Sequence, residues 1–185
     1  MLEIIIPKSN NLWDPVKGKF LKIKETRLVL EHSLVSISKW ESKWKVPFIG
    51  NQQITEDQLR DYIRCMTITQ NVDPLVYYAL TPENIKDILL YIEDPMTATV
   101  INEKNIPRGK AGHGQQVITS ELVYYWMSAL NLPSEYQKWH FNRLMTLIKV
   151  ASIEQQPPKQ MSKKDIMAQN KSLNAARRAR LHSKG

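Results

Sequence analysis

Two helix starts constrain this 185-residue chain more tightly than its overall composition does. At Thr81-Pro82-Glu83 the threonine hydroxyl can cap a helix, the proline fills a first-turn position whose N–H has no partner, and the acid faces the positive end of the helix dipole. Ile85, Ile88, Leu89 and Ile92 follow at helical spacing. Thr55 with Gln58 forms a capping box ahead of Leu59, Tyr62, Ile63 and Met66. Two capped helices, each with an apolar stripe, require other elements to cover those stripes.

The rest of the chain supplies candidates. Thr119 to Leu130 places Leu122, Tyr125, Trp126, Ala129 and Leu130 on one side, and Ser134 with Gln137 caps an expected last body helix carrying Tyr136, His140, Leu144, Leu147 and Ile148. Asp73 to Leu80, with Pro74 at its start, suits a short helix. His32 to Trp44 alternates weakly, yet Ile37, Trp40 and Trp44 share a helical face, which favours helix. Ahead of it, Leu2 to Ile6, Phe20 to Ile23 and Thr26 to Leu30 read as short strands around a turn spanning Ser9 to Gly18. Thr97 to Ile101 is a candidate strand, and the glycine-containing stretch Asn102 to Gln116 reads as a long surface loop. The expected fold class is mainly α with α+β character: an N-terminal β element over 1–31, a helical body over 32–154 and a basic helical tail over 155–185.

The tail boundary rests on charge. The chain carries a net +8 and a pI near 9.5, but from Lys159 onward eight basic residues face the single acid Asp165, whereas the preceding 158 residues hold 18 basic and 17 acidic side chains. Gln155-Gln156-Pro157-Pro158 separates the two regimes. Ser162 and Asp165 resemble a helix start, and the run to Leu181 is rich in helix formers but sparse in apolar positions, so a partner-dependent helix is expected. Lys163, Lys164, Arg177, Arg178 and Arg180 are the candidate contacts to nucleic acid or an acidic neighbour.

Catalytic patterns are missing from the sequence. Gly109 to Gly114 lacks the phosphate-loop spacing, and Lys110 precedes Ala111 where a magnesium-holding hydroxyl would stand. Cys65 has no recognisable base, and His32, His113, His140 and His182 lie in four separate segments. Glu56 and Asp57 have a structural role in a first helical turn. No catalytic residue, cofactor or metal ligand is assigned. Apolar runs are too short to cross a bilayer, and with Glu3 where a leader would be positive, no secretory signal is expected. Trp40 and Trp44, interleaved with lysines, suit helix packing or base stacking, and Tyr124 and Tyr125 suit packing or a partner-binding patch. These four are the candidate partner-binding residues.

Five blocks carry a resemblance: Leu30 to Trp44 (LEHSLVSISKWESKW), Tyr62 to Thr67 (YIRCMT), Tyr124 to Met127 (YYWM), Trp139 to Leu144 (WHFNRL) and Met161 to Asp165 (MSKKD). Over nearly its full length the chain resembles tailed-bacteriophage proteins of tail morphogenesis, most closely the tail assembly chaperones. The resemblance implies a mostly helical, non-enzymatic protein that binds the tape measure protein and helps recruit tail tube subunits in the host bacterial cytoplasm, with or without self-association. The alternative expectation is a virion structural or connector protein, located in the particle, whose basic tail reaches DNA or an acidic neighbouring subunit. Nucleic acid is expected to meet the tail only, and no membrane is expected as a partner.

Overall fold

A computed structural model describes residues 1–14, 18–50, 53–100, 117–155 and 163–181. The fold is mainly α with α+β character, and the chain divides into two compact units, 1–152 and 153–185.

The first unit begins with four strands: β1 (Leu2–Ile6), β2 (Ser9–Asp14), β3 (Lys19–Ile23) and β4 (Thr26–Leu30). β1 pairs antiparallel with β4, and β2 with β3, as two separate two-stranded sheets. The expected turn at Ser9 to Gly18 is corrected here, because Ser9–Asp14 is a strand: Ser9, Leu12, Trp13 and Asp14 pair with β3, and the register shifts between Ser9 and Leu12, where the two asparagines stand. In the β1–β4 sheet, period-2 alternation sends Ile4, Ile6, Leu28 and Leu30 into the core while Glu3, Ile5 and Arg27 face out.

The helices then cover the sheet. α1 (Leu34–Trp44) and α2 (Glu56–Met66) each start on a capping box, Ser33 with Ser36 and Thr55 with Gln58. After α2, the Glu31 N–H donates to the Met66 carbonyl at 2.9 Å and the Ile68 N–H donates to the Val29 carbonyl at 2.8 Å, binding the end of α2 to the free side of β4. A 3-10 helix follows at Pro74–Ala79, capped by Asp73. α3 (Pro82–Glu93) starts on Thr81 as expected, and α4 (Ser120–Ala129) starts on Thr119. One core runs through all of them, with Ile37 and Trp40 from α1, Tyr62, Ile63 and Met66 from α2, Ile88 from α3, Val123 from α4 and Leu144 from the last body helix.

That last helix, α5 (Phe141–Glu154), begins six residues later than a Ser134 cap predicts. Ser134–Lys138 is a separate 3-10 turn with no side-chain cap. The physical reason lies in β4's neighbourhood: the Phe141 N–H donates to the His32 carbonyl at 2.7 Å, and Ser33 and His140 form an antiparallel bridge. Those contacts hold Trp139 and His140 extended, so the helix restarts after them. Asn142 then donates to the Ile92 and Asp94 carbonyls at 2.9 and 2.8 Å, tying the first turn of α5 to the end of α3. Thr97 to Val100 is irregular rather than a strand. Ile101 and the stretch Asn102 to Gln116 lie outside the described residues, as does Ser162.

The second unit contains α6 (Lys163–Leu181), 19 residues and about 28 Å long. Met167 is 73% exposed and Leu173 48%. Among the described side chains of this helix, its two large apolar ones are therefore turned to solvent.

Candidate partner-docking surface

Of the four aromatic residues selected from sequence, only Tyr125 stands well out in solvent, at 67% exposure. Trp40 is corrected from candidate contact to core residue: its side chain is fully buried, its ring meets Phe48 edge-on at 5.2 Å, and its indole N–H donates to the Gln58 carbonyl at 2.8 Å. A side chain that already has its polar atom satisfied and its rings covered offers nothing to a partner. Trp44 is half-buried beside it, ring centroids 6.3 Å apart. Tyr124 is half-buried and its hydroxyl donates to Gln137 Oε1 at 3.1 Å.

Around Trp44 the structure assembles a site that spacing alone does not reveal. Asp61, on the buried side of α2, accepts the Trp44 indole N–H at 2.8 Å, the Lys43 ammonium at 2.7 Å and the Arg64 guanidinium at 2.9 Å. Burial opposes the charge on Asp61, yet these hydrogen bonds outweigh it and hold the carboxyl below its ordinary range. Lys43 and Arg64 are each half-exposed, so one carboxylate serves two cations that retain donors toward solvent. They line a cleft of about 560 Å³ between α1, α2 and the first 3-10 helix, with Tyr77 and Tyr78 opposite. A second cleft of about 280 Å³, lined by Leu59, Ile63, Leu80 and Ile85 with Glu56 at its border, shares Arg60, Tyr77 and Tyr78 with the first. Arg60 is the ridge between them: its guanidinium sits 4.5 Å from the Tyr78 ring and pairs with Asp57 at 2.7 Å.

A buried polar knot lies beneath. His32 Nδ1 is 2.5 Å from the Tyr62 hydroxyl, and its ring meets His140 edge-on at 5.1 Å. Burial, reinforced by His140, lowers the His32 pKa to about 3. Neutral His32 and the Tyr62 hydroxyl, which keeps its proton, share one hydrogen bond whose direction follows the His32 tautomer. His140 donates from Nε2 to the Tyr91 carbonyl at 2.9 Å, leaving Nδ1 buried without a partner. Tyr91 in turn donates to Glu31 at 2.7 Å. A further buried carboxylate, Glu41, accepts the Phe48 N–H at 2.8 Å and the Ser120 N–H at 2.7 Å, fastening α1 to the start of α4. Sequence reading missed both clusters because each joins residues from separate elements, Tyr62 to His32 across 30 residues and Ser120 to Glu41 across 79. Three of the five resemblance blocks meet in the knot, so those blocks build the interior.

Cys65 is half-buried, and burial followed by the Asp61 charge pushes its thiol pKa up, against weaker opposing effects of Arg64, Lys39 and Lys43. A thiol held protonated is a poor nucleophile. Among the described residues, no group of three or more His, Cys, Asp or Glu side chains could hold a metal ion, and no helix is long and apolar enough to cross a membrane. On α6, Arg177, Arg178 and Arg180 are exposed near the C-terminal end, and Lys163 and Lys164 open the helix. No family model matches the chain, and comparisons with curated proteins and with solved structures gave no match.

Proposed function

We propose that this protein is a tailed-bacteriophage tail assembly chaperone, a non-enzymatic protein that binds the tape measure protein during tail morphogenesis in the host bacterial cytoplasm. The observation that carries the reading is the likeness of the five sequence blocks. The surface chemistry supports it. Tyr78 and Tyr125 are exposed at 55% and 67%, and the clefts beside Tyr78 join apolar, aromatic and cationic side chains, the composition of a protein-binding patch. The residues that could do chemistry favour binding over catalysis, because His32 and His140 are buried and engaged in packing while Cys65 is held as a thiol. Co-expression with the tape measure protein encoded beside it tests the reading: the soluble fraction of that protein rises when this chain is present, and an unchanged fraction rejects the proposal.

One observation favours a second reading, a virion structural or connector protein. α6 presents Arg177, Arg178 and Arg180 to solvent, which suits DNA or an acidic neighbouring subunit. Loss of salt-sensitive DNA binding on removal of residues 159 to 185 would support that role for the tail, and binding that is absent or insensitive to salt rejects it.

A further inference from the structure

Resting on the chaperone reading, we propose that the paired clefts flanking Arg60 and Tyr78 are the docking site, and that their occupant is an acidic amphipathic helix of the partner. The occupant's leucine-like side chain would enter the Leu59–Ile63–Leu80–Ile85 cleft and its carboxylates would meet Lys43 and Arg64 across the ridge.

Three observations select this chemistry. First, charge at the larger cleft is unbalanced in a specific way. Asp61 is buried and its oxygens are occupied by Trp44, Lys43 and Arg64, so it offers no repulsive face, while Lys43 and Arg64 remain half-exposed with unused N–H donors. An incoming carboxylate completes those donors; Asp57, the exposed carboxylate on the same cleft, is engaged by Arg60 at 2.7 Å, so the three cations Lys43, Arg60 and Arg64 face the two carboxylates Asp57 and Asp61 there. Second, the smaller cleft is apolar where Leu59 and Ile63 of α2 meet Leu80 and Ile85, and Glu56, one turn earlier on that row, borders it, so the occupant's apolar row and not its acidic row belongs there. The two α2 rows, Leu59–Ile63 and Arg60–Arg64, lie side by side, so an occupant must offer an apolar row and an acidic row adjacent to each other. An amphipathic helix does this at spacings of three and four. Third, Tyr78 is 55% exposed, stacks on Arg60 and borders both clefts, the position of an aromatic anchor between an apolar and a charged subsite.

The probe is a fluorescein-labelled model helix repeating Leu and Glu at these spacings, compared with its isomer bearing Lys for every Glu, titrated against the full chain by anisotropy. The Glu helix binds and the Lys isomer binds about tenfold more weakly or not at all. Tyr78→Ala and Lys43→Met each weaken the Glu helix by about tenfold, and Lys149→Met, at an exposed position of α5 that lines neither cleft, leaves it unchanged. Hydrogen exchange on the unmodified protein provides a readout free of variants: the Glu helix protects residues 56–66 and 74–80. Equal binding of the two isomers, no binding of the Glu helix, or protection elsewhere overturns the proposal. If the Glu helix fails while co-expression still solubilises the tape measure protein, the site is wrong and the chaperone reading stands; the reverse pattern separates them the other way.

Discussion

Acid should loosen this fold well above the pH at which carboxylates titrate, and His32 is the reason. In the folded chain it is 2% exposed and its pKa is lowered to about 3, first by burial and then by His140. Its surroundings are Tyr62 from α2, His140 and Phe141 at the start of α5, and Phe48 after α1, none of which supplies a negative charge in contact with the ring. Unfolded, a histidine titrates near 6.5. The folded state therefore binds fewer protons than the unfolded state between those values. Stability is complete above about pH 6.5 and falls as pH drops toward 3, at about 1.4 kcal/mol per pH unit for one such group. At pH 4.5 the loss through His32 is about 3 kcal/mol, a large share of a typical domain's 5–15 kcal/mol. His140 shifts in the same direction, mainly through burial, and steepens the effect. Asp61, whose pKa is lowered, adds its loss only below about pH 4. Urea unfolding at pH 7.5 and 4.5 measures the difference. His32→Gln keeps an acceptor for the Tyr62 hydroxyl but cannot titrate, so its stability should fall less steeply with pH than the wild type's. Parallel slopes for the two proteins, or a wild type equally stable at both pH values, would refute the reasoning.

Two other perturbations separate interior from surface. Trp40→Ala should cost about 3–5 kcal/mol through the cavity and the abandoned Gln58 carbonyl, whereas Tyr125→Ala should change the unfolding free energy by less than about 0.5 kcal/mol. Glu41→Ala leaves the Phe48 and Ser120 N–H groups without their acceptor; a loss of about 2 kcal/mol is expected, with faster hydrogen exchange at residues 118–124 than elsewhere in the body. Uniform exchange across the body would show that Glu41 does not hold α4.

The helices were legible where their signals are local. Thr55 and Thr81 start α2 and α3 as their capping residues predict, since an N-cap bond spans only three residues. Non-local contacts defeated the same reasoning elsewhere. The Ser134 cap does not form, since Ser134–Lys138 is a 3-10 turn without a side-chain cap, and the backbone bond from Phe141 to His32, spanning more than a hundred residues, delays α5. β2 is made by its pairing with β3 rather than by its Asn-rich sequence. For the surface, aromatic type was a poor guide: Trp40 and Tyr125 look equally available in sequence, and only the packing of α1 against α2 distinguishes them. Tyr78 and the Lys43–Asp61–Arg64 cluster needed three elements to converge before they formed a cleft.

The central claim is that this chain acts during assembly by holding the tape measure protein. Quantitative mass spectrometry comparing infected cells with purified particles tests it most directly. The account predicts that the protein co-purifies with the tape measure protein from cells before tails are complete and is absent from finished particles. Its presence in finished particles at a fixed copy number, with no pre-assembly complex, would contradict the account and assign the chain to the virion.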